Sequence, residues 1–217
     1  MLPQRIPSVA IHVCADTVTS GLRRQWRPAM AARDTVQRIA RMCERLGVLA
    51  QQTLTGEQAT ADELLGALRD AGTALADDGL LVLTFSGHTE RGDGPLESAR
   101  WCLVGGGVML SQLASQLAQL PATARLLVIA DTCYASAIAQ VLIGPQPVIV
   151  LASCGKDQTM VDRPRSEFVA RLEQSVCSTG RLGSIEALRE LLEADTPDCE
   201  RPVVWSNAPR PPIASAA

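Results

Sequence analysis

Lysine, histidine and aromatic side chains are scarce in this chain. Its 217 residues hold one lysine, two histidines and only 3% Phe, Trp and Tyr. With a formal net charge of −3 and almost no stacking surface, it lacks the basic, aromatic-interleaved face that binds nucleic acid, and no nucleic-acid partner is expected. No apolar run reaches the ~18 residues of a membrane span. The N-terminus passes directly into the strand-like run 7–14 without a charged-then-apolar leader, so no membrane partner and a cytoplasmic location are expected. The seven cysteines, at 14, 43, 102, 133, 154, 177 and 199, form neither a CxxC pair nor a close Cys/His cluster. That scatter disfavours a zinc site or a disulfide framework and fits reduced thiols, so no metal is expected. Gly105-Gly106-Gly107 is not followed by the spacing of a phosphate-cradling loop and reads as a turn. No cofactor is expected either, because a flavodoxin-like nucleotide binder needs a Gly-rich strand-to-helix turn.

What the chain does have is apolar content, at 47%, enough in a chain of this length to bury a core without disulfides or metal. Two continuous apolar runs stand out. Leu80–Phe85 leads into Ser86-Gly87-His88, and Leu126–Ala130 leads into Asp131-Thr132-Cys133. Runs of this kind are central strands of a parallel sheet buried on both faces, and such sheets place ligand chemistry at the strands' carboxyl ends. Between and around them the periodicity alternates. Strands are expected at 7–14, near 49–53, at 101–104, at 148–153 and at 203–205, with helices at about 30–46, 61–75, 111–120, 166–177 and 184–194. Thr60-Ala61-Asp62-Glu63 is a capping box that starts the second helix. Residues 90–98, with Arg91-Gly92-Asp93-Gly94-Pro95, are a loop. The expected architecture is an α/β layered fold with a mainly parallel central sheet flanked by helices, one domain over 1–206 and a Pro/Ala tail over 207–217.

A histidine and a cysteine, each placed at the end of such a strand, are a candidate catalytic dyad. A thiol near its ordinary value of about 8.5 is only a few per cent thiolate at neutral pH, so a nucleophilic cysteine needs a neighbouring base. His88, 45 positions before Cys133, is the available one; His12 lies inside the first strand and reads as a core or surface residue. Side chains two apart on a strand share a face, so Asp131 is expected to line the same space as Cys133. Cys43 falls on the apolar face of the first helix and reads as core.

The segments Phe85-Ser86-Gly87-His88 and Asp131-Thr132-Cys133 resemble the two catalytic blocks of the caspase and metacaspase superfamily of cysteine peptidases, in its bacterial caspase-like branch. Residues 30–36 resemble that branch's first helix, and Val148–Cys154 with Asp157-Gln158 resemble its strand after the nucleophile. The resemblance covers most of 7–176. It implies a caspase-like fold and an endopeptidase in which Cys133 attacks and His88 protonates the leaving amine. The backbone amides of Cys133 and Thr89 would form the oxyanion hole, and Asp16, Ser86 and Asp131 would line a pocket for arginine or lysine. The implied partner is a protein or peptide with a basic residue before the cleaved bond, in a bacterial signalling, defence or cell-death pathway.

Two departures from the family pattern keep a catalytically silent binding or scaffold module as the alternative. Thr89 stands where the family usually has glycine, and a β-branched residue is strained in any left-handed conformation. The segment after the nucleophile reads Cys133-Tyr134-Ala135-Ser136-Ala137 rather than CxSG. Residues 134–146 contain no lysine or arginine, so self-cleavage there is not expected. Nicks after Arg91, Arg100 or Arg165, or a separate activating partner protein, are the expected controls, with Pro164 protecting Arg163.

Overall fold

The computed structural model describes residues 7–17, 28–75, 78–91, 98–161, 163–194, 196 and 200–207. Six strands form the main sheet: β1 (Ser8–Cys14), β2 (Ala50–Thr55), β3 (Leu80–Ser86), β7 (Arg125–Asp131), β8 (Val148–Ala152) and β9 (Val203–Ser206). Three shorter ones, β4 (Thr89–Glu90), β5 (Arg100–Leu103) and β6 (Gly106–Met109), form a separate antiparallel sheet. The helices are α1 (Ala32–Arg45), α2 (Ala61–Ala74), α3 (Leu110–Leu117), α4 (Ala137–Val141), α5 (Glu167–Thr179) and α6 (Ile185–Glu193). The main sheet runs in the order β2-β1-β3-β7-β8-β9, parallel throughout except for β9, which pairs antiparallel with β8. This is the mixed α/β layered architecture expected from the alternating pattern.

Both faces of the sheet are covered, which is why its central strands read as unbroken apolar runs. Leu81, Leu83, Leu126 and Val128 pack with Leu64 and Leu68 of α2 and Leu113 of α3. The alternate residues Val82, Leu127 and Ile129 pack with Ile39 and Met42 of α1, Phe168 and Leu172 of α5 and Leu188 of α6. Burying one such aliphatic side chain is worth roughly 1.5–3 kcal/mol. Asp131, two positions beyond Ile129 on β7, shares the α1/α5 side of the sheet.

Local signals explain most helix starts. Thr60 Oγ1 accepts from the Glu63 amide at 3.2 Å, and Ser166 and Ser184 cap α5 and α6 in the same way. The reciprocal half of the expected capping box gives way to another bond, since the Thr60 amide donates to the Gln58 carbonyl at 2.8 Å. The glycine triplet is more than a turn. Gly105, at φ +76°, makes the turn, whereas Gly106 and Gly107 begin β6. At Gly107 a Cβ would meet the Trp101 carbonyl at 2.6 Å. Trp101 in turn stacks on Phe85 with centroids 4.3 Å apart, fixing the small sheet against the end of β3.

Three expectations change. Residues 137–141 form the short helix α4 where only a connection was expected, and Arg100 lies within β5, so its backbone is in a ladder rather than a cleavable loop. Asn207, assigned to the tail, is anchored: its Oδ1 accepts from the Val148 amide at 2.7 Å and its Nδ2 donates to the Gln146 carbonyl at 3.0 Å. The rest of the tail, 208–217, and loop residues 92–97 lie outside the described residues. Among the described residues no helix is long and apolar enough to cross a membrane.

Candidate functional site

Strands β1, β3 and β7 run out together, with Cys14 opposite Ser86 and Ser86 opposite Asp131. His88 and Cys133 each follow two positions beyond this register pair, and both line a single cleft with Ser86, Asp131, Met160 and Ser166. The structure therefore brings four of the residues named from sequence to one place: His88, Cys133, Ser86 and Asp131. Gly87 is required between them, because a Cβ there would lie 2.8 Å from the Ala15 Cβ and 3.0 Å from the Ala15 carbonyl oxygen. The Ala15 amide donates to the Ser86 carbonyl at 2.9 Å, so β1 holds this turn in place.

The nucleophile candidate sits on a tight turn. Tyr134 adopts φ +54°, one of two positive-φ non-glycine residues among those described, and its amide donates to the Gln158 carbonyl at 2.7 Å. Such a conformation costs on the order of 1 kcal/mol and persists where surrounding bonds enforce it. Here the enforcing segment follows β8: the Ser136 amide donates to the Cys154 carbonyl, and the Thr132 amide to Ser153 Oγ. The half-buried Cys133 sulfur accepts from the Met160 amide at 3.3 Å.

Asp131 is 6% exposed. Its two carboxylate oxygens accept from Thr35 Oγ1 of α1 at 2.8 Å and from Ser166 Oγ, the α5 cap, at 3.1 Å. Burial pushes its carboxyl above the ordinary range, and the hydroxyl donors Thr35, Ser166 and Ser153 pull it partly back. A buried carboxylate fixed in the lining of a cleft can take a planar cation with bidentate hydrogen bonds.

Asp16 follows β1, and its carboxylate pairs with Arg33 of α1 at 2.7 Å; it is not among the described residues that line the cleft. The strain expected at Thr89 is also absent. Thr89 opens β4 with φ outside the positive region, so the site asks for no glycine there. Thr89 faces Trp101 in a non-hydrogen-bonded pair, since the Cys102 amide donates to the His88 carbonyl at 2.9 Å. The Thr89 amide therefore points away from β5, off the outer edge of the small sheet.

His12 is fully buried in mid-sheet, with Nδ1 3.1 Å from Thr84 Oγ1 and Nε2 2.7 Å from Gln51 Oε1, and takes no part in the cleft. Burial pushes its imidazole below the usual 6.5. The thiols of Cys43, Cys102 and Cys154 are likewise pushed up by burial, to about 12, 11 and 11. They stay protonated at neutral pH, and Cys43 is core as its position on α1 implied.

Sequence reasoning missed Thr35, Met160 and Glu200. Glu200, 7% exposed, accepts from the Val161 amide at 2.7 Å and pairs with Arg163 at 3.2 Å, holding the segment that carries Met160. No local pattern marks these residues. Ser166 was findable, as a serine directly before an acidic first helical turn.

No family model matches the sequence, and no curated protein matches it. The fold resembles the crystal structure of a structural-genomics target from Geobacter sulfurreducens, a protein of unstated function, with a TM-score of 0.79 over 95% of both chains at 18% identity. At that identity the likeness shows the fold alone.

Proposed function

We propose that the chain is a caspase-like cysteine endopeptidase that cleaves proteins after arginine or lysine. The observation that carries this reading is the shared cleft of His88, Cys133 and the buried Asp131. In the proposed cycle His88 takes the Cys133 proton as the sulfur attacks the peptide carbonyl, and the amides of Cys133 and Thr89 receive the oxyanion. His88 then gives the proton to the leaving amine as the C–N bond breaks. Water, deprotonated by His88, attacks the thioester, releases the acid and restores the thiol. Asp131 accepts hydrogen bonds from the basic side chain, with Ser86 beside it. The orientation toward a cytoplasmic, bacterial signalling, defence or cell-death substrate rests on the resemblance of the two sequence blocks.

A second reading, a catalytically silent caspase-like binding module, draws support from the Met160 amide seated on the Cys133 sulfur. Fluorogenic peptides ending in Arg, Lys, Asp or Ala separate the two. The peptidase reading expects turnover after Arg and Lys that disappears in Cys133→Ala and His88→Ala; the silent module expects none from the wild type.

A further inference from the structure

The loops that carry the two dyad residues are joined by side-chain hydroxyls. Thr132 Oγ1 lies 2.8 Å from the Gly87 carbonyl oxygen and 2.8 Å from Thr89 Oγ1. A carbonyl only accepts, so the single Thr132 hydroxyl proton goes to Gly87, and Thr89 must donate to Thr132. The chain Thr89 Oγ1–H to Thr132 Oγ1–H to Gly87 O thus has one proton direction. Gly87 precedes His88, Thr89 follows it, and Thr132 precedes Cys133. Both threonines are buried, at 5% and 3% exposure, so the bond between their hydroxyls is shielded from water, where an unmade partner is costly, and the bond to Gly87 is part-buried. Thr132 is further tied to the end of β8, its amide donating to Ser153 Oγ and its carbonyl accepting from Cys154 Sγ at 3.3 Å.

We propose that Thr89 and Thr132 are positioning residues: a hydroxyl clamp that holds the His88 loop against the Cys133 loop. This rests on the peptidase reading for its consequence in turnover. At position 89 it is the side-chain hydroxyl that makes this second bond. Glycine would leave Thr132 with its Gly87 bond only, whereas Thr89 adds a second tie on the far side of the histidine. A loop free to shift by an ångström would lose dyad geometry without losing the substrate pocket, since Asp131 is held independently by Thr35 and Ser166.

The experiment compares Thr132→Val, Thr132→Ser, Thr89→Val and the double valine variant in the full chain. Two readouts are needed: kcat and KM on an arginyl peptide, and the iodoacetamide alkylation rate of Cys133 read by peptide mass spectrometry, with exposed Cys177 as internal standard. The clamp expects Thr132→Val to lose about tenfold or more in kcat with KM within about twofold, and to slow Cys133 alkylation relative to Cys177. Thr132→Ser restores both, Thr89→Val loses less, and the double variant is no worse than Thr132→Val. Should Thr132→Val fail to fold, a kcat loss in Thr89→Val at unchanged KM carries the test. Wild-type kcat and alkylation ratio in either folded valine variant, or a serine variant as impaired as the valine one, overturns the clamp. A wild type with fast Cys133 alkylation and no peptide turnover rejects the peptidase reading instead, and the alkylation ratios alone then decide the clamp.

Discussion

Ser86 and Asp131 are register partners across β3 and β7, so the residues two positions beyond them, His88 and Cys133, leave the sheet from adjacent points. The same register sets a carboxylate into the wall of the cleft, buried and met by hydroxyls from two different helices.

Asp131→Asn tests what that burial costs. A carboxyl pushed up by desolvation binds a proton in the folded state at pH values where the unfolded chain has released it. Its contribution to stability is therefore lost as pH rises through the folded value, and ionising it is a burden on the fold. The asparagine variant should melt at or above the wild-type temperature at pH 7 while losing at least tenfold in arginyl-peptide turnover, an order set by removal of a charge-assisted bidentate contact. Thermal melts from pH 5 to 8 beside kinetics check both; a destabilised variant with wild-type selectivity contradicts the role.

His12 gives the opposite slope. Its imidazole is pushed below 6.5 by burial, so on acidification the unfolded chain takes up a proton that the folded chain refuses. Stability is fully present above about pH 6.5 and declines as pH falls below it. The wild-type melting temperature should drop more between pH 7 and 5 than that of His12→Gln. Parallel slopes for the two proteins would remove His12 as the cause.

Gly87→Ala should disturb the site more than the fold. The added Cβ meets Ala15 atoms at 2.8 and 3.0 Å, backbone among them, and one of the two strand ends must shift. Overpacking of this kind costs about 1–3 kcal/mol, but the displaced residue is the immediate neighbour of His88. A kcat loss of more than about tenfold in a protein that still unfolds cooperatively is the expected result; wild-type kcat would show the turn to be tolerant.

Self-processing, if the wild type nicks itself, should spare residues 134–146, which contain no basic residue and fold in part as α4. Arg100 is protected by its place in β5, and Arg163 by the Pro164 that follows it. Arg91 and Arg165, both exposed, remain. Mass spectrometry of the incubated wild type beside Cys133→Ala should place Cys133-dependent termini at these two; termini within 134–146 would contradict it.

The central strands were legible because burial on both faces writes itself as continuous apolar sequence, and the strand ends located His88 and Cys133 for the same reason. The three-stranded sheet was not, because β4 is two residues long and β6 begins with two glycines, which carry no strand signal. Asp131 could be placed by its spacing from Cys133. Spacing says nothing of Arg33, the partner that meets Asp16 from α1. The hydroxyls of Thr35, Thr89 and Thr132 became meaningful only once residues up to 96 positions apart were seen in contact.

The most direct measurement is covalent trapping. The wild type is incubated with an arginyl chloromethyl ketone, and the intact mass and the modified residue are read by mass spectrometry. The account predicts one adduct per chain, on Cys133, faster than with the aspartyl reagent, and strongly reduced in His88→Ala. An adduct confined to exposed Cys177, or a Cys133 adduct formed equally fast in His88→Ala and with either reagent, would contradict it.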